Sequence, residues 1–106
     1  MNYKVVLEKD AIADLSAAFE WYEEQLDGLG KEFLISSEAS FSFLERTPEV
    51  FQSIFEEVKR SPIKRFPFGI FYIIRKDIVH VVAIYHSRRD PEGWKKRLHR
   101  VSSDSK

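Results

Sequence analysis

Phe68-Gly69-Ile70-Phe71-Tyr72-Ile73-Ile74, then Arg75-Lys76-Asp77, then Ile78-Val79-His80-Val81-Val82-Ala83-Ile84-Tyr85 is the stretch on which the fold turns. Both runs are rich in β-branched and aromatic residues, and the polar break between them has hairpin length. Apolar residues fall on both faces of each run, so both faces need cover and the pair belongs in the centre of a sheet. Immediately upstream, Val58 to Phe66 reads as an edge strand, because Pro62 has no N–H to give to a ladder. Tyr3 to Leu7 reads as a short first strand with Tyr3, Val5 and Leu7 on one face. Val50 to Glu57 shows no clear period and reads as connection, with Phe51, Ile54 and Phe55 as anchors against the core.

Between the first strand and that connection the period changes to helical. Ile12, Leu15, Phe19, Tyr22 and Leu26 form one stripe, with Asp10 as the expected cap and Glu20, Glu23 and Glu24 on the solvated side. Asp27-Gly28-Leu29-Gly30 breaks that helix, and the short break predicts an antiparallel partner. Phe33, Leu34, Phe41 and Leu44 give the second helix its face, and Thr47-Pro48 ends it. At the other end, Asp90-Pro91-Glu92 supplies a cap, a proline at the first helical position and an acid in the first turn. The short helix so begun carries Trp94 and Leu98 inward, and Lys95, Lys96, Arg97 and Arg100 outward.

The expected fold is α+β in the order β-α-α-β-β-β-α: an N-terminal strand and an αα-hairpin packed on a mostly antiparallel four-stranded sheet, with a short C-terminal helix and the opposite sheet face partly open. A chain of 106 residues has room for one core. The domain is expected over residues 1–101, with 102–106 a frayed tail. Apolar residues at 43% and nine phenylalanines argue against disorder. With no cysteine, neither a disulfide framework nor a thiolate metal site is expected. No apolar run approaches a membrane span, and Met1 to Leu7 lacks the pattern of a signal peptide, so the expected location is the cytoplasm.

The balanced net charge of +0 conceals a strong asymmetry. Up to Glu57 there are 4 Lys/Arg against 13 Asp/Glu, a net of −9; from Val58 onward there are 13 against 4, a net of +9. A basic half of this kind suits a polyanion or an acidic protein partner, unless acidic helices simply offset basic strands within one fold.

The element order, the segment Arg65-Phe66-Pro67-Phe68-Gly69-Ile70-Phe71-Tyr72, the strand Val79 to His86 and the ending Arg88-Arg89-Asp90-Pro91-Glu92-Gly93-Trp94 together resemble the RelE/ParE superfamily of toxins from type II toxin-antitoxin systems, also known as plasmid stabilisation proteins. The resemblance covers roughly residues 3 to 98. It implies one of two activities: RelE-like members cut mRNA in a ribosome-dependent manner, whereas ParE-like members inhibit DNA gyrase without a known catalytic site of their own. In RelE-like members an arginine on the middle strand precedes a tyrosine by three residues; here that place falls at Gly69. Their later arginine matches Arg88, and the tyrosine six residues beyond falls on Trp94. Tyr85-His86 is similar to the ending of an RNase subgroup in which the histidine is a general acid. These departures put the chain closer to the ParE-like members.

On this reading the candidate catalytic residues, were the chain an RNase, are His86, Arg88 and Arg65. The candidate partner-binding residues are Lys64, Arg65, Arg75, Arg88, Arg89, Trp94, Lys95 and Arg97, whose arginines suit carboxylate and phosphate alike. No metal is expected among His80, His86 and His99, which lack ligand spacing, and no cofactor is implied. The expected partners are a cognate antitoxin, with which the chain would form a hetero-oligomer, and DNA gyrase, or alternatively the ribosome and mRNA. A non-toxic interaction module is the third reading.

Overall fold

A computed structural model of the chain describes residues 2–98. In chain order the elements are β1 (Lys4–Leu7), α1 (Lys9–Gln25), α2 (Leu29–Arg46), a 3₁₀ turn (Pro48–Val50), β2 (Ser53–Phe55), β3 (Val58–Pro62), β4 (Phe68–Arg75), β5 (Ile78–His86) and α3 (Glu92–Lys95). One sheet orders its strands β1-β5-β4-β3-β2, with β1 parallel to β5 and every other pair antiparallel. The expected tail at 102–106, and His99 and Arg100 of the last helix, lie outside the described residues.

The sheet has five strands where the sequence predicts four. The extra one is β2, inside the segment read as connection; Glu56, at φ 50, helps turn the chain back into β3. Consequently β3 is not the edge: it lies between β2 and β4, and Pro62 closes it by pairing with Gly69 as its last residue. A proline is tolerated there because its place opposite Gly69 is a non-hydrogen-bonded one, and Ile63 N–H makes the next bond to β4, to the Phe68 carbonyl at 3.0 Å.

β4 and β5 occupy the interior positions their two-sided apolar pattern predicts. Toward the helices, Ile70, Tyr72, Val79, Val81 and Ile84 join Ala11, Ala18, Tyr22, Phe33 and Leu44 in the main core. Away from them, Val58, Phe71, Ile73, Val82, Ala83 and Tyr85 form a second core with Trp94 and Leu98. The face expected to be partly open is therefore roofed in part by the C-terminal segment. A bulge in β5 makes both cores possible: Phe71 pairs with Ala83 but Tyr72 pairs with Val81, leaving Val82 as the extra residue. Parity along the strand reverses there, so Val82 and Ile84, in phase by sequence, lie in different cores.

α1 packs through a stripe one residue away from the one its large apolar residues suggest. Ala11, Asp14, Ala18 and Tyr22 are buried, whereas Ile12 and Leu26 are 55% and 63% exposed. Small residues on the inner side let the helix approach the sheet. Asp10 does not cap it: the helix starts at Lys9 with no side-chain cap, and Asp10 lies in the first turn. Glu23 does more than face solvent. Beyond Gly28, at φ 90, its carboxylate accepts the N–H groups of Gly30 at 2.8 Å and Lys31 at 3.3 Å and so serves the open N-terminus of α2.

The buried phenol of Tyr72 donates to the carbonyl of Pro48 at 2.6 Å, tying the 3₁₀ turn to the middle strand, and burial pushes its pKa up. Tyr72→Phe leaves that carbonyl unpaired and is expected to lower unfolding free energy by about 1–2 kcal/mol in denaturant titrations.

Candidate partner-binding site

One end of the sheet gathers most of the candidate residues. There the β3–β4 loop, residues 63–67, runs beside the chain leaving β5, joined by Ser87 N–H to Pro67 C=O at 2.8 Å and by the pairing of Phe68 with His86. The loop is fixed by its own sequence. Ile63 is buried, and Phe66 stands edge-on to Tyr22 and Phe33 at 5.0 and 5.2 Å, so the residues between these anchors, Lys64 and Arg65, are turned to solvent. Arg65 takes a left-handed φ of 72, an arrangement that costs about 1 kcal/mol for a residue with a Cβ. Its 3.8 Å approach to Glu32 joins two exposed side chains and contributes little.

His86 and Arg88 stand on the other side of the loop. His86 Nδ1 accepts the Arg88 N–H at 3.0 Å, which leaves Nε2 as the protonated nitrogen of the neutral ring, and the ring meets Phe68 edge-on at 5.3 Å. Arg89 lays its guanidinium 3.9 Å above the ring of Tyr85. Lys95 sits 4.3 Å above the ring of Phe55 and 3.5 Å from Glu92.

Two depressions flank this loop. The larger, of about 530 Å³, runs between α2 and β3 and is lined by Ile35, Ala39, Phe43, Phe51 and Pro62, with Lys64 and Arg65 at its rim. The smaller, about 330 Å³, is bounded by Trp21, Tyr22, Pro67, Phe68 and His86. Ile35 at 66% and Trp21 at 55% exposure present apolar surface on either side of the basic loop. Neither depression is among the candidates drawn from the sequence, although Ile35, Ala39 and Phe43 recur every four residues, a second stripe on α2 beside its core stripe.

Lys95, over Phe55 beside the β2–β3 turn, is one of four candidates that stand elsewhere. Arg75 lies at the opposite end of β4, in a two-pronged ion pair with Glu57 on the β2–β3 turn. Trp94 is 2% exposed and stacks on Phe71 at 4.8 Å, so it is a core residue and not a surface anchor. Arg97 is turned inward rather than outward. It donates to Asp14 through Nη1 at 2.7 Å and Nη2 at 3.2 Å, and to the Val82 carbonyl at 3.0 Å. Burial works against its charge, and the bonds to Asp14 outweigh that and raise its pKa.

Why the ion pair sits there follows from the sheet. β1 ends at Leu7, opposite Val81, and Glu8 N–H makes the next bond, to the Val81 carbonyl at 2.9 Å. Farther along that edge of β5, Arg97 serves the Val82 carbonyl and Asp14 accepts the Ile84 N–H at 3.0 Å. An ion pair thus takes over where the neighbouring strand stops. Arg89 adds a 3.9 Å approach to Asp14, and Arg97 Nε lies 3.7 Å from Asp10. His80, paired with Val6 earlier in the strand, contacts Glu8 at 2.9 Å. Among the described residues no cluster of three or more metal-ligating side chains occurs, and no helix is long and apolar enough to cross a membrane.

Fold and site together define a small α+β domain with a basic loop set between two apolar depressions. Residues 5–91 match the family described as the ParE toxin of type II toxin-antitoxin system, parDE. The chain belongs to that family, within the RelE/ParE superfamily. A solved structure of the chromosomal ParDE TA system from P. aeruginosa shares the fold, with a TM-score of 0.71 at 14% identity over 79% of this chain and 95% of that one. No curated protein matches the sequence.

Asp14→Ala removes the two-pronged partner of Arg97 and leaves the Ile84 N–H unpaired, and is expected to cost about 3 kcal/mol in chemical denaturation. Acid should act at the periphery. The Arg75 hydrogen bond holds Glu57 below its ordinary value of 4.5, and the Gly28, Lys31 and Gly30 N–H groups do the same for Glu23. Carboxyls lowered in the folded state contribute stability above that ordinary value and lose it as pH falls past it toward their folded values. The melting temperature should therefore hold between neutrality and about pH 5 and then fall, and the fall should be shallower in a Glu23→Gln/Glu57→Gln variant.

Proposed function

We propose that this toxin is held inactive by a cognate antitoxin that lays an amphipathic, acidic segment over the β3–β4 loop. Apolar side chains of that segment enter the groove of Ile35, Ala39 and Phe43, and its carboxylates meet Lys64 and Arg65. The single observation that carries the reading is the continuity of an exposed apolar groove with a basic loop on a ParE-family fold. A segment disordered when free offsets its ordering entropy by burying that groove. Released, the toxin acts by binding, and DNA gyrase is the target this reading names.

Ribosome-dependent mRNA cleavage is the second reading, favoured by the fixed tautomer of His86 beside Arg88 and the pocket next to it. Against it stand the burial of Trp94 and the absence of a side chain at Gly69. Induced expression of the chain alone should arrest growth, and co-expression of the adjoining open reading frame should relieve the arrest and co-purify. Accumulation of gyrase–DNA cleavage complexes supports the first reading; codon-positioned cuts in translated mRNA replace it with the second. Undisturbed growth at high expression leaves a non-toxic interaction module. Phe43→Asp, or Lys64→Glu with Arg65→Glu, should weaken the complex at least about tenfold, as loss of an interface anchor does.

A further inference from the structure

The second core ends, toward the basic loop, in a position with no side chain, and an arginine from the next strand has taken that space. A Cβ at Gly69 would stand 2.7 Å from Cζ of Arg60 and closer still to its Nε, separations that side-chain carbons do not adopt. Arg60 pairs in register with Phe71 and holds its guanidinium 5.8 Å from that ring's centre. Gly69 in turn pairs with Tyr85, the ring that carries the guanidinium of Arg89. Two arginines thus stand over the neighbouring residues of one rung, on the sheet face turned away from the helix hairpin.

Arg60 has no charge partner among the described residues, and Arg89 has a weak one. No described carboxylate lies within ion-pair distance of Arg60, and its side chain makes no hydrogen bond to a described residue. Arg89 has only the 3.9 Å approach to Asp14, whose oxygens already serve Arg97 and Ile84. A guanidinium laid across bare backbone and an aromatic ring has lost much of its freedom before any ligand arrives, and its fork of donors remains open to a carboxylate or phosphate. Charge chooses between the two. With Lys and Arg equal in number to Asp and Glu and a pI near 6.8, the chain lacks the broad positive field that polynucleotide binding draws on, so local protein carboxylates fit better.

We infer that Arg60 and Arg89 form a cradle for acidic side chains of the antitoxin, and that residue 69 is glycine because Arg60 needs the space. The antitoxin then spans two surfaces, the apolar groove with its basic loop and the far face of the sheet. This rests on the antitoxin reading given above.

The test is the affinity of the adjoining reading frame's purified product for four forms of the full-length toxin: unmodified, Arg60→Ala, Gly69→Ala and the double variant. The atoms that a Cβ at residue 69 meets are the far end of a flexible side chain, so Gly69→Ala should displace Arg60 and leave the melting temperature unchanged. Each single variant should bind about tenfold more weakly or worse, and the double variant should match Arg60→Ala, because the two substitutions remove one interaction. Arg60→Ala binding within about twofold of the unmodified toxin overturns the cradle alone. A Gly69→Ala loss that persists without Arg60 overturns the seating role of Gly69. A single-stranded RNA oligonucleotide whose binding needs Arg60, while antitoxin binding does not, overturns the carboxylate assignment in favour of phosphate. No binding by unmodified toxin overturns the antitoxin reading, and the cradle with it.

Discussion

The pair of Asp14 and Arg97 is the constraint on which the rest of the molecule depends. A sheet edge left open after β1 stops would leave backbone donors and acceptors under the turns of α1 without partners, at a cost in free energy for each. Asp14 accepts the Ile84 N–H and Arg97 donates to the Val82 carbonyl, and the two side chains bind each other. Neither charge is tolerable there without the other. The pair also joins the first helix to the segment that follows α3, so that Trp94 and Leu98 close the second core.

This clamp determines how much of the basic half is available to a partner. Arg97 is consumed inside the fold, Arg75 is neutralised at the far end of β4, and Lys95 is drawn toward Glu92. The remaining candidates stand at one end of the sheet, where Lys64 and Arg65 are held out by Ile63 and Phe66 and where Arg88 and Arg89 follow β5. The asymmetry along the chain therefore overstates the breadth of the basic surface. Its location, between two apolar depressions, is what makes it suitable for a protein segment with both acidic and apolar side chains.

Much of this was legible in the residues. The β4–β5 hairpin could be read because both faces of both strands are apolar, and the helix hairpin because Gly28 interrupts an otherwise continuous helical period. β2 could not, since Ser53–Phe55 is three residues long, pairs through an irregular register and has no period to detect. The face of α1 was misjudged because Ile12 and Leu26 are larger than Ala11 and Ala18, while close packing on the sheet favours the small residues. Asp14 and Arg97 are 83 residues apart, and nothing local distinguishes them from a solvated acid and a solvated base. Trp94 could be read both as the inward residue of the last helix and as a partner-binding candidate, and its burial against Phe71 is the inward reading. The α2 stripe of Ile35, Ala39 and Phe43 is readable in principle, but it lies beside a core stripe whose Phe33, Phe41 and Leu44 give the stronger apolar period.

Amide hydrogen exchange at Ile84 tests the clamp most directly, because that N–H is held by a side chain where a neighbouring strand would otherwise hold it. In the unmodified chain it should exchange as slowly as the amides of Val79 and Val81; in Arg97→Met it should exchange much faster, together with the amide of Lys95, which donates to the Pro91 carbonyl. Ile84 remaining as protected in Arg97→Met as in the unmodified chain would contradict the view that the Asp14–Arg97 pair closes the sheet edge and fixes the C-terminal segment.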